Sequence, residues 1–255
     1  MKSLYCKTLL AGVFVSVVFP GTLQAVGLTG DINLYSKYVV RGITNNAEND
    51  STALQANLKY ATEGGTYISW FGSNLDYTYR SSDEPTSGSG FENDFSIGYH
   101  GNASEDLEYD FGITQYYYLD VDDSDLTEFK GTLTSGPISL SLASLLRNGW
   151  WGNRGDMYLS ASYTRELGQE FTLEATVGYF RYDDSDNGEL CYPNPANCGL
   201  TTKSSAFRHV DLKVSHPLGK SGAKMNFTYI IGGKDRSGTD QENTAVLGVS
   251  YPFDL

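Results

Sequence analysis

The side chains able to do chemistry in this 255-residue sequence are few: three histidines, three cysteines and charged residues set at alternate positions. His209 and Asp211 stand two apart, so an extended chain puts both on one face. A carboxylate beside an imidazole can orient it as a general base, which opens a hydrolase reading centred on His209. No Gly-x-Ser-x-Gly occurs to supply an elbow nucleophile, so the chemistry reads as non-enzymatic. His100 and His216 fall beside short turns. Asp120-Val-Asp-Asp-Ser-Asp125 lacks the Gly and distal Glu of a calcium loop, and no four-ligand cluster is present. Neither a metal nor a cofactor is expected.

A second group has the spacing of a charged lining. Lys37, Arg41, Asp110, Lys130, Glu174, Asp211 and Lys213 each oppose an apolar neighbour in an alternating run, and all but Arg41 fall closest to the middle of those runs. Charges on one face of a closed sheet can pair and brace it, or form a constriction that filters solutes. Excess acid gathers in the longer connections, above all Asp120, Asp122, Asp123 and Asp125. At a pore mouth such acids attract cations.

These residues must be carried by strands. From Gly30 onward apolar and polar residues alternate with period two, and helical periodicity is nowhere convincing. Ile32, Leu34, Tyr38 and Val40 face one way, and Asp31, Asn33, Lys37 and Arg41 the other. The same rhythm recurs about twelve times, least cleanly over Tyr67 to Tyr77. Connections alternate between short and long, and aromatics gather at the ends of the apolar rows, as in Tyr60, Tyr163, Tyr179 and Tyr251. A sandwich in water has no reason to sort its aromatics so; a barrel in lipid does. The expected fold is therefore all-β: a single antiparallel up-and-down transmembrane barrel of about 12 strands, with short periplasmic turns and long outer loops.

Residues 1–25 read as a secretory signal peptide: Lys2 and Lys7, an apolar run from Leu9 to Phe19, a break at Pro20-Gly21, and cleavage after Ala25. Residues 26–255 then form the barrel. Cleavage removes Cys6 and leaves Cys191 and Cys198, a closely spaced pair in an exported chain and so an expected disulfide. The net charge of −13 becomes −15, which argues against nucleic acid as a partner. The C-terminal Tyr251-Pro-Phe253-Asp-Leu255 places apolar groups at alternate positions, the pattern of a final strand read by bacterial barrel-assembly machinery. Leu255 stands where an aromatic is most common.

Four stretches resemble the TorF family of porins from Gram-negative bacteria: Leu34 to Ile43, Tyr67 to Asp76, Phe95 to Gly101 and Tyr109 to Tyr118. Tyr38-x-x-Arg41-Gly42 and Trp70-Phe-Gly-Ser-Asn74 are the more specific pieces. The second half matches mainly by strand rhythm. The resemblance implies a passive channel in the outer membrane, among lipid and lipopolysaccharide, with no catalytic residues. The function expected is passage of small hydrophilic solutes with weak cation preference. The alternatives are a braced, mostly closed barrel or, further off, a hydrolase using His209.

Overall fold

The computed structural model describes residues 26–44, 51–78, 86–149, 152–183 and 201–254. The signal peptide, Cys191, Cys198 and Leu255 lie outside them.

Alternation becomes strand wherever it is sustained. The strands are β1 (Gly27–Tyr35), β2 (Ala53–Ala61), β3 (Thr66–Asn74), β4 (Tyr77–Thr78), β5 (Thr86–Ser87), β6 (Phe91–Ser104), β7 (Leu107–Leu119), β8 (Leu126–Ser135), β9 (Ile138–Leu145), β10 (Met157–Glu166), β11 (Thr172–Arg181), β12 (Ser205–Pro217), β13 (Lys224–Gly232) and β14 (Thr244–Asp254). β4 and β5 form a two-stranded hairpin in a loop. The other twelve close into a barrel in which every neighbour is antiparallel and β14 returns to β1 through Leu34↔Val249 and Ile32↔Tyr251. The all-β, twelve-stranded reading holds. No helix forms among the described residues.

The two faces of the wall differ as period two requires. Outward stand Ile32, Leu54, Ile68, Phe95, Ile97, Leu140, Phe227 and Leu247, each between 45% and 59% exposed. Exposed apolar side chains at this density form a continuous belt, which is stable in contact with lipid and not in water. Tyr60, Tyr163, Phe171 and Tyr251 border it at the short-turn end, and Tyr117 and Tyr179 at the other. Inward-facing hydroxyls pair across strands: Ser96 with Thr114 at 2.8 Å, Thr132 with Ser141 at 2.9 Å, Ser162 with Thr176 at 2.8 Å. Over Tyr67 to Tyr77, where alternation is obscure, two of the inward positions, Tyr67 and Phe71, are themselves aromatic. Tyr67 donates to Asp110 inside the barrel, and Phe71 packs on the interior apolar cluster.

One strand is shorter than its pattern. The alternation of Tyr38, Val40, Lys37 and Arg41 predicts that β1 continues to residue 41, but the wall ends at Tyr35. The chain turns inward there: Tyr38 and Val39 are 1% and 4% exposed, within the barrel rather than on lipid. Lys37 and Arg41 therefore belong to a segment that leaves the wall, not to mid-strand positions.

Charge placed on the outer face should cost stability. Leu140→Arg is expected to destabilise by about 2–4 kcal/mol, the range for a cation at the bilayer midplane. Ser141→Arg, one residue on but facing inward, should cost less than half as much. Unfolding titrations in lipid or detergent measure both; equal losses would contradict the assignment of faces.

Candidate functional site: the lumen and the segment that crosses it

The crossing segment, residues 36–44, begins with reciprocal bonds at the wall. Ser36 donates its N–H to the Leu247 carbonyl at 2.8 Å, and its hydroxyl accepts from the Leu247 N–H at 3.0 Å. Arg41 and Gly42 both have positive φ, 47° and 70°. This reverses the chain into a short loop closed by the Ile43 N–H on the Val40 carbonyl at 2.8 Å. Gly42 is needed twice over: its backbone favours glycine, and a Cβ there would meet the His209 side chain.

Each tie of this segment goes to a different part of the barrel or its loops. The Arg41 guanidinium grips the Glu128 carboxylate with two bonds of 2.8 and 2.7 Å. Glu128 lies on β8, five places round the wall from β1 and so on the far side. The Tyr38 hydroxyl donates to Glu92 on β6 at 2.5 Å. Arg208 on β12 donates Nε–H to the Arg41 carbonyl at 3.1 Å. The Thr44 N–H reaches the Gln241 side chain at 3.0 Å. The segment is a strap across the lumen.

The strap divides the loop-side lumen. On one side Tyr35, Tyr38, Val39, Ala53, Leu75, Tyr77, Val121, Ile230 and Val246 pack into an apolar cluster. On the other a cavity of about 90 Å³ remains, bounded by Val40, Arg41, Glu92, Tyr116, Glu128 and Phe180 among others. Tyr118 donates to Glu92 at 2.8 Å and Tyr116 to Glu128 at 2.7 Å, so these carboxylates are held from two sides. Lys130 stands 3.7 Å from Glu128 and 5.2 Å over the Tyr116 ring.

The lower lumen is polar. Glu174 and Lys213 face each other at 3.7 Å. Asp110 accepts from Tyr67 at 2.7 Å, and Lys59 lies 3.8 Å over that ring. Asp110 and Glu174 sit a few residues from the short-turn ends of β7 and β11, below the middle. Apart from Lys37 in the crossing segment and Asp110 on Tyr67, the expected lining residues separate into three groups. Arg41 and Lys130 converge on Glu128. Glu174 pairs with Lys213 below. Asp211 joins His209, whose Nδ1 is 2.7 Å from its carboxylate.

That last pair extends further than the sequence suggests. With Nδ1–H donating to the carboxylate, Nε2 accepts from the Tyr158 hydroxyl at 2.7 Å. Asp211, His209 and Tyr158 form a chain beneath Gly42, and His209 is 2% exposed. Gly178 clears the space for it, since a Cβ there would collide with the imidazole. Neither His209 nor Asp211 lines that cavity. The chain supports the strap from below.

Of the acidic loop, Asp125 accepts from the Tyr118 N–H at 2.9 Å, and Val121 turns inward into the apolar cluster. Asp120 and Asp123 have positive φ, and both are exposed. The loop both presents acid outward and fills the lumen.

Alternation already turns Glu92 and Glu128 inward and the Tyr38-x-x-Arg41-Gly42 piece contains Tyr38, but these three, with Tyr116, Tyr118 and Tyr158, are not among the constriction residues expected from the sequence. The available signal was the Tyr38-x-x-Arg41-Gly42 piece, where a glycine follows a cation in an otherwise strand-like run.

Breaking a buried pair leaves a charge without its partner, at a cost of about 3–5 kcal/mol. Arg41→Met and Glu128→Met should each lower stability by that order, while the double variant recovers most of the loss. Denaturant midpoints for the three proteins measure this. Additive losses would mean that the two groups are not coupled.

The chain matches the family model described as a bacterial protein of unknown function, Gcw_chp, over residues 21–193. No curated protein matches it in sequence. Among solved structures it is similar to the KdgM porin, with 9% identity over 88% of this chain and 99% of that one, at a TM-score of 0.50. A second structure, the KdgM porin in complex with disordered oligogalacturonate, gives 9% identity, the same coverage and a TM-score of 0.51. At such identity the likeness is one of fold. The strap, with the Tyr38, Arg41 and Gly42 that build it, lies inside the matched residues, and the chain belongs to the Gcw_chp family of bacterial proteins.

Proposed function

We propose that this protein is an outer-membrane channel for passive passage of small hydrophilic solutes, narrow at rest and not an enzyme. The observation that carries the reading is that the lumen is narrowed by a strap rather than by the wall. A structural brace needs only side-chain pairs across the interior. Here a backbone segment of nine residues is diverted from the sheet, at the loss of its ladder bonds, and sets the size of the remaining passage. The shared porin fold and the resemblance to TorF-type porins support the same reading. The signal peptide expected over residues 1–25 would deliver residues 26–255 to the periplasm for insertion, with Tyr251 and Phe253 in the final strand.

The apolar cluster beside the strap favours a passage that is mostly closed until the strap shifts. Small-ion preference would then be set at the mouth, where Asp120, Asp122, Asp123 and Asp125 give weak selection for cations. A disulfide between Cys191 and Cys198, expected from the sequence, belongs to this reading; both residues lie outside the described ones.

Planar-bilayer recording tests this directly. Wild type should give small ohmic steps, with a reversal potential that favours cations at low salt and fades near 1 M, where screening acts within about 3 Å. Asp122, Asp123 and Asp125 replaced together by Asn should weaken that preference. Arg41→Gln, which frees the strap from Glu128, should raise unit conductance or open time severalfold. A barrel that inserts and stays silent in both wild type and Arg41→Gln would overturn the channel.

A further inference from the structure

The wall keeps its charged side chains off the apolar belt with two exceptions. Of the Asp, Glu, Lys and Arg residues on the twelve barrel strands, only Arg165 on β10 and Arg181 on β11 share the outward face. Leu159, Tyr163 and Arg165 lie on one face of β10, and Val177, Tyr179 and Arg181 on one face of β11, all six exposed. Each arginine stands one step beyond a rim tyrosine, Arg165 at the short-turn end and Arg181 at the loop end. No acid shares that face.

Their separation fits the thickness of a membrane. Arg165 pairs with Leu173 on β11, which lies eight residues before Arg181. Eight residues at about 3.4 Å make about 27 Å of strand, or about 21 Å along the axis at a tilt of about 40°, close to the apolar band of about 25 Å that such barrels present. A long cationic side chain at either edge then reaches past the band to headgroup level.

Arg181 is not alone at its edge. Arg147 and Arg154 in the β9–β10 connection, and Lys203 just before β12, are exposed at the same loop end. Among the described residues none of the four has a carboxylate within salt-bridge distance, whereas Lys234 nearby is held by Asp240. The Arg181 guanidinium touches only the Met157 sulfur, at 4.0 Å. The Tyr179 hydroxyl is turned along the wall onto Ser205 at 2.7 Å, which leaves the guanidinium donors to the outside. Below them Leu159, Val177 and Phe207 are 42%, 42% and 43% exposed, an apolar slope that acyl chains can cover. The acids of this end, Asp120, Asp122, Asp123 and Asp125, stand on the β7–β8 connection, so the rim is divided by sign.

Unpaired cations at headgroup level above an apolar slope suit an amphiphile with fixed phosphates and several acyl chains. A guanidinium grips a phosphate with two parallel bonds, and the chains lie against the wall. We infer that the loop-end rim over β9 to β12, with Arg181 at its centre, docks the phosphorylated lipid A part of lipopolysaccharide. The inference goes beyond the channel reading: it needs the barrel in an outer membrane, not an open lumen.

Retention of purified lipid A by the immobilised mature chain in neutral detergent tests it, with diphosphoryl lipid A as probe and its dephosphorylated form as counterpart. Wild type should retain the diphosphoryl form saturably and at least tenfold more tightly than the other. Excess inorganic phosphate should not displace it; displacement would mean a site for free anions and overturn the lipid docking. Arg154→Gln with Arg181→Gln should weaken retention at least fivefold, heat-dependent gel migration showing that the barrel is intact. If the double variant does not fold, Arg181→Gln alone carries the test and should weaken retention at least threefold. Arg165→Gln, on the same face at the opposite edge, should leave retention unchanged. Equal retention of the two lipids by wild type, no loss in the loop-end variants, or an equal loss in Arg165→Gln overturns the surface. Bilayer recording separates the two claims. Lipid A held by a silent barrel keeps the docking surface and removes the channel; conductance without preference between the two lipids does the reverse.

Discussion

The interior is organised by one ion pair, Arg41 with Glu128. Each partner is a charge that the lumen would otherwise penalise, and each makes sense only in the presence of the other. For Arg41 to reach β8, β1 must stop at Tyr35 and the chain must cross the barrel. That crossing requires two consecutive residues at positive φ, and room beneath Gly42, which the His209 side chain fills to contact. The strap in turn buries Tyr38 and Val39 against Leu75 and Val121, so the loop end acquires an apolar cluster that the wall alone could not form. Glu128 is also held by Tyr116, which keeps the carboxylate aimed at the guanidinium in the strap's absence.

The wall was legible in the sequence because its code is local. Period two, turn spacing and aromatic ends are properties of neighbours, and twelve strands follow from them. The lumen was legible only in outline, because its partners are distant in sequence. Glu128 is 87 residues from Arg41, and Glu92 is 54 from Tyr38. Alternation sorts residues into in and out but does not say which inward charge meets which. It also assumes an unbroken strand, and both departures are places where this fails. At residues 36–41 the pattern still alternates though the ladder has ended, since buried strap residues are as apolar as lipid-facing ones. At Arg208 a bulge advances the chain by one residue, which alternation alone does not reveal. The His209–Asp211 pairing was readable, being two residues apart on one strand; its extension to Tyr158 was not.

The two failures fall on the same feature, and for a physical reason. A regular sheet presents its inward side chains at fixed spacing and can line a lumen but not fill it. Placing a guanidinium off that lattice takes either a segment that leaves the wall, as for Arg41, or an extra residue within it, as for Arg208. The two arginines then meet, Arg208 Nε on the Arg41 carbonyl, so each irregularity supports the other.

The same arrangement lets the strap move without the barrel unfolding. Strand pairing from β1 round to β14 contains none of residues 36–44, so the ladder is complete without them. The strap's hold is chiefly electrostatic, and its strength depends on the water around it. Two unit charges 4 Å apart attract by about 4 kcal/mol at an effective dielectric near 20 and by about 1 kcal/mol in bulk water. Water entering the cavity beside Arg41 therefore weakens the pair that keeps the cavity small, and a weaker pair admits more water. Conversely, closing expels water and strengthens the pair, while the apolar cluster regains its contacts. Feedback of this sign disfavours intermediate positions of the strap. On the channel reading proposed above, it favours two states of the lumen, a dry one held by Arg41 and Glu128 and a wet one in which both charges are hydrated.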